Sequence, residues 1–215
     1  MPIINQDKWY ETYYEFHKKY SLLKHYWNLI HLKKMDFFSK VALDSLILDI
    51  GCGDGNLLKT LAAKGYNQLY GFDIKIPEIV DKKLSLKKGS MLDMPYPENF
   101  ADTLICFNVM HHLLDIRDYD LFLNNCKRVL RDEGIFFLVE PERNLFRKFQ
   151  DIIIKIPIVS NIGPIKAQKI AIKEEKKELE QFMSIDIFSL FQKHNFIIKQ
   201  YKPFLKSFIL YGTYT

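Results

Sequence analysis

The 215-residue chain holds only three cysteines, Cys52, Cys106 and Cys126, far apart and without a Cys-x-x-Cys pair. That scarcity suggests neither a disulfide framework nor a cysteine-bound zinc, and it fits a reducing, cytoplasmic setting. Long apolar runs are also missing: no uncharged stretch approaches the roughly 20 residues that span a bilayer. The first residues, Met1 to Lys8, lack a basic stretch followed by an apolar one, so a soluble protein is expected. There is no internal repeat and no low-complexity linker, and one domain over 1–215 is expected. The net charge is small, +5, and concentrated, with nine Lys/Arg against five Asp/Glu in residues 143–182. An excess of that size reads more readily as solvated surface than as an anion-binding face, and it does not imply nucleic acid as a partner.

What the chain does have, from residue 45 onward, is short apolar runs bounded by Gly, Asp or Pro that alternate with amphipathic stretches, the pattern of a parallel α/β sheet. Strands are predicted at 46–50, 68–73, 84–88, 102–107 and 135–139. One helix should run to Lys64 and stop at Gly65, a residue suited to positive φ. Another spans 118–130 with Leu121, Leu123, Val129 and Leu130 inward, and Gly134 separates it from the fifth strand. A final helix should start after Ser184, whose hydroxyl can cap it. The closing apolar runs, 196–201 and 207–214, are split by Pro203 and suggest a hairpin added to the sheet. The expected fold is thus α/β, a doubly wound, mostly parallel, seven-stranded sheet, Rossmann-like, with a C-terminal antiparallel hairpin. Residues 1–44 should supply two helices, with stripes at Trp9, Tyr13, Phe16 and Tyr20 and at Leu23, Trp27 and Ile30. The core is 45–142, an inserted and partly helical cap 143–182, and the final helix and hairpin 183–215.

Between the first strand and its helix lies Asp49-Ile50-Gly51-Cys52-Gly53-Asp54-Gly55. Glycine admits positive φ and lets a ligand approach the backbone closely. A dinucleotide fingerprint would need its third glycine where Asn56 stands. Asp49 would repel a pyrophosphate but attract an ammonium, directly or through water.

These residues, with those that follow, resemble the class I S-adenosylmethionine-dependent methyltransferases, particularly the group that includes the ubiquinone and menaquinone biosynthesis enzymes. The resemblance rests on five stretches in order: 47–55, Gly71-Phe72-Asp73-Ile74, 89–97, 101–113 and 128–134. It implies S-adenosyl-L-methionine as cofactor and S-adenosyl-L-homocysteine as product. It also implies cofactor contacts from Asp49, Gly51, Cys52 and Gly53, a ribose diol held by Asp73, and an adenine ring packed on Ile74. Asn108 would lie near the methionine portion. Where the family has Gly-Asp after the third strand, this chain has Gly89-Ser90, which leaves the adenine amino group to Ser90, to Asp93 or to the backbone of Met91 and Leu92, the last being preferred.

Methyl transfer relies on alignment and charge placement, with a base needed only for some acceptors. His111 and His112, after the fourth strand, and Glu140, after the fifth, are the candidate catalytic groups, each with a structural alternative. The fourth-strand string Asn108-Val109-Met110-His111 lacks the Asn/Asp-Pro-Pro-Tyr/Phe of enzymes that methylate base amines and glutamine amides. That shifts weight to a small-molecule acceptor. The isoleucines of 143–182, interleaved with Lys148, Lys155, Lys166 and Lys169, suit an apolar acceptor, peripheral membrane contact or simple packing on the domain. Methylation of RNA or protein and a non-catalytic binding module of the same fold are the alternatives, with a nicotinamide oxidoreductase well behind.

Overall fold

A computed structural model describes residues 21–76, 84–142, 175–205 and 207–214. The strands are β1 Ile47–Ile50, β2 Leu69–Asp73, β3 Ser85–Lys88, β4 Ala101–Phe107, β5 Leu130–Pro141, β6 Phe196–Phe204 and β7 Ser207–Tyr214. They form one sheet in the order β3-β2-β1-β4-β5-β7-β6. Pairing is parallel from β3 through β5 and antiparallel at β5–β7 and β7–β6. The order reverses between β1 and β4, so the chain leaves a crevice at the carboxyl ends of these two strands, where open α/β sheets take ligands.

The described helices are α1 Ser21–Lys34, α2 Phe37–Lys40, α3 Asn56–Ala62, α4 Ile116–Val129, α5 Lys176–Phe182 and α6 Ile187–Lys193. Alternate residues of each central strand meet different helical layers, as the period of 2 requires. Leu48, Ile50, Leu104, Cys106, Phe136 and Leu138 pack with Tyr119, Phe122, Cys126 and Phe191 of α4 and α6. Ile47, Ile105, Phe137 and Val139 pack with Leu32, Phe37, Leu58 and Leu61 of α1 to α3. Burial on both faces explains why these strands read as nearly unbroken apolar runs.

Four details differ from the sequence expectations. The buried stripe of α4 is Tyr119, Phe122, Leu123, Cys126 and Val129, and Leu121 lies outside it, 46% exposed, because the stripe is phased on Tyr119 and Phe122. Gly134 does not part α4 from β5. The strand begins at Leu130 directly after the helix, and 131–134 form a bulge opposite the Ala101/Thr103 register shift, with Glu133 at φ 61°. Helix α6 is capped by Asp186, which accepts from the amides of Phe188 and Ser189, whereas the Ser184 hydroxyl donates to the Gln181 carbonyl. On α1 the inward face is Asn28, His31 and Leu32, while Leu23 and Ile30 are exposed. The stripe at Trp9 to Tyr20, the link around Pro77 and residues 143–174 of the expected cap lie outside the described residues.

Candidate active site

The glycine loop leaves β1 at the sheet's reversal point. Gly51 has φ 69°, and a Cβ there would sit 2.4 Å from a methyl of Val109 at the end of β4, so both conformation and space demand glycine. The amides of Gly51 and Cys52 donate to the carbonyl of Phe72 at 2.9 and 3.0 Å. The amide of Gly53 donates to Asp73 Oδ2 at 2.9 Å, and that of Lys75 to Oδ1 at 3.1 Å. Loop and acid are therefore one unit. A carboxylate offers about four lone-pair positions, so Asp73 retains acceptor capacity beyond these two bonds.

Three acids surround the loop. Asp49 is buried, 3% exposed. Burial holds its carboxyl well above the usual range, with Asp73 and Asp54 adding to the effect and Lys24 opposing it. Asp73 is raised as well, by burial, against the amide bonds that favour its charge. Asp54 pairs with Lys24 of α1 at 3.1 Å, and Asn28 of the same helix donates to Asn56. Helix α1 is thus fastened to the loop by polar contacts that its apolar periodicity does not announce. Cys52 is buried, and burial beside Asp49 pushes its thiol far up, so it is not a nucleophile.

On the adjoining side, Ser90 and Asp93 form a closed turn. The Ser90 hydroxyl accepts from the amide of Leu92 at 3.1 Å, and the Leu92 carbonyl accepts from Asn125. Met91 and Leu92 are half-buried in that turn, and Ile74 is half exposed after β2. Asn108 stands at φ 56°, a conformation its short amide tolerates; its amide donates to Val139 and its side chain is exposed.

Beyond Asn108 a short 3-10 turn, Met110–His112, carries the two histidines. Glu140 is fully buried. One of its oxygens accepts from the amides of Val109 and Met110, at 2.9 and 2.7 Å, and the other meets His111 Nδ1 at 2.7 Å. Glu140 thereby fixes the turn that precedes it in sequence. The Nε2 of His111 lies 3.8 Å from Glu175. Burial disfavours a charged imidazole here, but Glu140 and Glu175 outweigh it and push His111 up to about 9. His112, half-buried, meets Glu178 through Nδ1 at 2.7 Å. Phe182 of α5 covers the turn, 6.4 Å from the His111 ring and stacked on Tyr119 and Phe208.

The structure thus gathers Asp49, Gly51, Cys52, Gly53, Asp73 and Ile74 on one side of the crevice, with the Met91–Leu92 turn adjoining, and Asn108, His111, His112 and Glu140 on the other. Sequence reasoning missed Glu175, Glu178 and Lys24, which reach the site from α5, its approach and α1, with no local motif to mark them. A hollow of about 530 Å³ lined by Phe38, Leu43, Lys64 and Tyr66 lies at the opposite, amino ends of the strands and contains neither acid nor histidine.

The strand order and the placement of this site define a class I methyltransferase fold. A family described as a methyltransferase domain matches residues 48–138, from β1 into β5. The chain is 31% identical over 108 residues to a ubiquinone biosynthesis O-methyltransferase of Mesorhizobium japonicum, covering 46% of this chain and 42% of that protein. It is 27% identical over 110 residues to a probable S-adenosylmethionine-dependent methyltransferase of Mycolicibacterium smegmatis, covering 49% and 41%. A crystal structure of an S-adenosylmethionine-dependent methyltransferase from Aquifex aeolicus shares the fold, with TM-score 0.58 and 16% identity over 87% of this chain and 89% of that one. Residues 48–138 thus match a methyltransferase domain, and the fold is the one seen in solved S-adenosylmethionine-dependent methyltransferases. It spans only about two fifths of the length of the curated relatives it matches.

Proposed function

We infer that the chain transfers a methyl group from S-adenosylmethionine to a small, apolar acceptor. The observation that supports this best is the acid-ringed glycine loop. Asp49 is buried beside Asp73 and Asp54 and lifted well above its ordinary range, so the loop favours a ligand that brings positive charge and no phosphate. Asp49 would meet a cationic ammonium, the backbone at Gly51, Cys52 and Gly53 would allow close approach, and Asp73 would accept from a vicinal diol. Ile74 offers an apolar face to a purine, the Met91–Leu92 turn borders its edge, and Asn108 faces the chain of the amino acid. When bound, the cofactor supplies a methyl on a positively charged sulfur.

On the far side, Glu140 and His111 hold the turn in place. His111 is engaged by Glu140 through Nδ1 at 2.7 Å, so the ring is held in place rather than free to move toward an acceptor. Alignment and charge placement are what this geometry offers. The small acceptor is supported by Asn108-Val109-Met110-His111 at the end of β4, and its apolar character by Leu179 and Phe182 of α5 beside the turn.

Titration calorimetry with S-adenosylmethionine, S-adenosylhomocysteine and NAD tests the reading. Both adenosyl ligands are expected to bind one to one, and NAD not at all. Binding of NAD alone would overturn it, and no binding of any of the three would leave a non-catalytic module. Formation of S-adenosylhomocysteine with a panel of apolar hydroxy and amine acceptors, set against RNA and protein, then tests the acceptor class.

A further inference from the structure

We propose that His111, His112 and Glu175 form a binding site for a divalent transition-metal ion. Each offers one nitrogen or oxygen, and these three atoms lie within 4.8 Å of one another. Ligands around a zinc-sized ion, each at about 2.1 Å, stand roughly 3–4 Å apart, so closure requires a shift of about an ångström. Glu175, on a flexible stem, is already 3.8 Å from His111 Nε2.

The second observation is independent of that clustering. His111 is 2% exposed, and its Nε2 is buried without a hydrogen-bond partner, an arrangement that buried polar atoms seldom tolerate. Its Nδ1 is engaged by Glu140 at 2.7 Å, which sets Nε2 as the atom turned toward Glu175. Glu178 engages Nδ1 of His112 at the same distance. A carboxylate behind each histidine is the outer shell that orients imidazole toward a metal and raises its donor strength. Two imidazoles and one carboxylate suit zinc, manganese or iron(II) better than magnesium or calcium, which favour oxygen alone. The three cysteines are buried and belong to no metal-ligating group among the described residues. The alternative occupant of Nε2 is a proton, which would make the cluster an ion pair.

The inference does not rest on the cofactor reading, so its test keeps the two apart. The full chain, purified without a histidine tag and stripped with chelator, is titrated with Zn²⁺, Mn²⁺ and Mg²⁺. One-to-one binding of Zn²⁺ and Mn²⁺ is expected, at least about tenfold tighter than Mg²⁺. Co²⁺ should give a visible spectrum showing nitrogen ligation. Glu175→Gln should weaken Zn²⁺ binding by about 100-fold and Glu178→Gln by about tenfold, while both variants keep the wild-type circular dichroism spectrum and a cooperative urea transition, which shows that they are folded. Absence of one-to-one binding in the wild type, or equal Zn²⁺ affinity in wild type and Glu175→Gln, would overturn the site and leave the proton as occupant. If Glu175→Gln does not fold, the Glu178→Gln affinity and the Co²⁺ spectrum of the wild type decide.

Discussion

Two loops face each other across the reversal point of the sheet, and they are made of different material. The loop after β1 is backbone: glycines at positive φ, amides donated to Phe72 and Asp73, and a buried acid, Asp49, lifted by its burial. The loop after β4 is held by side chains, with Glu140 taking three bonds and Glu178 one. The first opens its backbone toward the crevice, and the second is anchored by Glu140. Substitutions in the first should therefore chiefly lower ligand affinity, and substitutions in the second should chiefly lower stability.

The largest effect is expected at Glu140. Glu140→Ala leaves the amides of Val109 and Met110 and the buried His111 ring without their acceptor, and breaking such a buried pair costs about 3–5 kcal/mol. Urea unfolding should show that loss. Glu140→Gln, which keeps an oxygen for the amides but not the charge, should fall between the two. A Glu140→Ala protein as stable as wild type would dissolve the contrast.

Asp73→Ala comes next and should separate the loops in the opposite sense. Hydrogen bonds to a charged acceptor are worth about 1.5–3 kcal/mol each, so losing a bidentate diol contact should weaken S-adenosylhomocysteine by about 100-fold or more by calorimetry. The accompanying loss of stability, from the part-buried bonds of the Gly53 and Lys75 amides, should be smaller than at Glu140, which is fully buried. Unchanged affinity would refute the ribose assignment.

The two loops also differ in how far the sequence discloses them. The glycine loop falls within 49–55, where strand–turn–helix geometry is local and spacing is enough to read it, while Asp73 at the end of β2 is marked by the family resemblance. The mostly parallel sheet followed from the same alternation, while the order of its strands is set by tertiary packing. Around His111 the partners lie 29 and 64 residues on, at Glu140 and Glu175, and that of His112 lies 66 residues on, at Glu178. Only tertiary packing brings them there, and no periodicity encodes it. Leu121 was misplaced for a related reason: apolar residues were counted inward by type, whereas the helix is phased by its bulkiest buried rings, Tyr119 and Phe122. The bulge at 131–134 was likewise hidden, since Gly134 signals a break in a strand as readily as a gap before one.

Gly51 joins the two regions and should respond in both measurements. Gly51→Ala places a Cβ at φ 69° and 2.4 Å from Val109, combining backbone strain with overpacking, for a loss of about 2 kcal/mol. Ligand affinity should fall with it. Adding Val109→Ala removes the clash but not the strain, so the double variant should regain part of the stability. Full recovery would show that φ contributes nothing.

The smallest expected effect runs against the others in sign. Asp49 has a folded pKa raised by burial, despite Lys24 and reinforced by Asp73 and Asp54. A carboxyl raised above its unfolded value of about 3.9 holds its proton more tightly when folded. Its contribution to stability is therefore complete below that value and is lost as pH rises through the folded pKa. At pH 7 the ligand-free protein carries an acid that its surroundings disfavour. Asp49→Asn should consequently be more stable than wild type at pH 7, and the difference should shrink as the pH is lowered toward 4. The same substitution should weaken S-adenosylhomocysteine by about tenfold, since the ammonium loses its countercharge. With ligand saturating, the ranking of the two proteins in urea should then narrow or reverse. A variant less stable than wild type at pH 7 without ligand would show that Asp49 serves the fold, and the distinction between the two loops would fail at its most sensitive point.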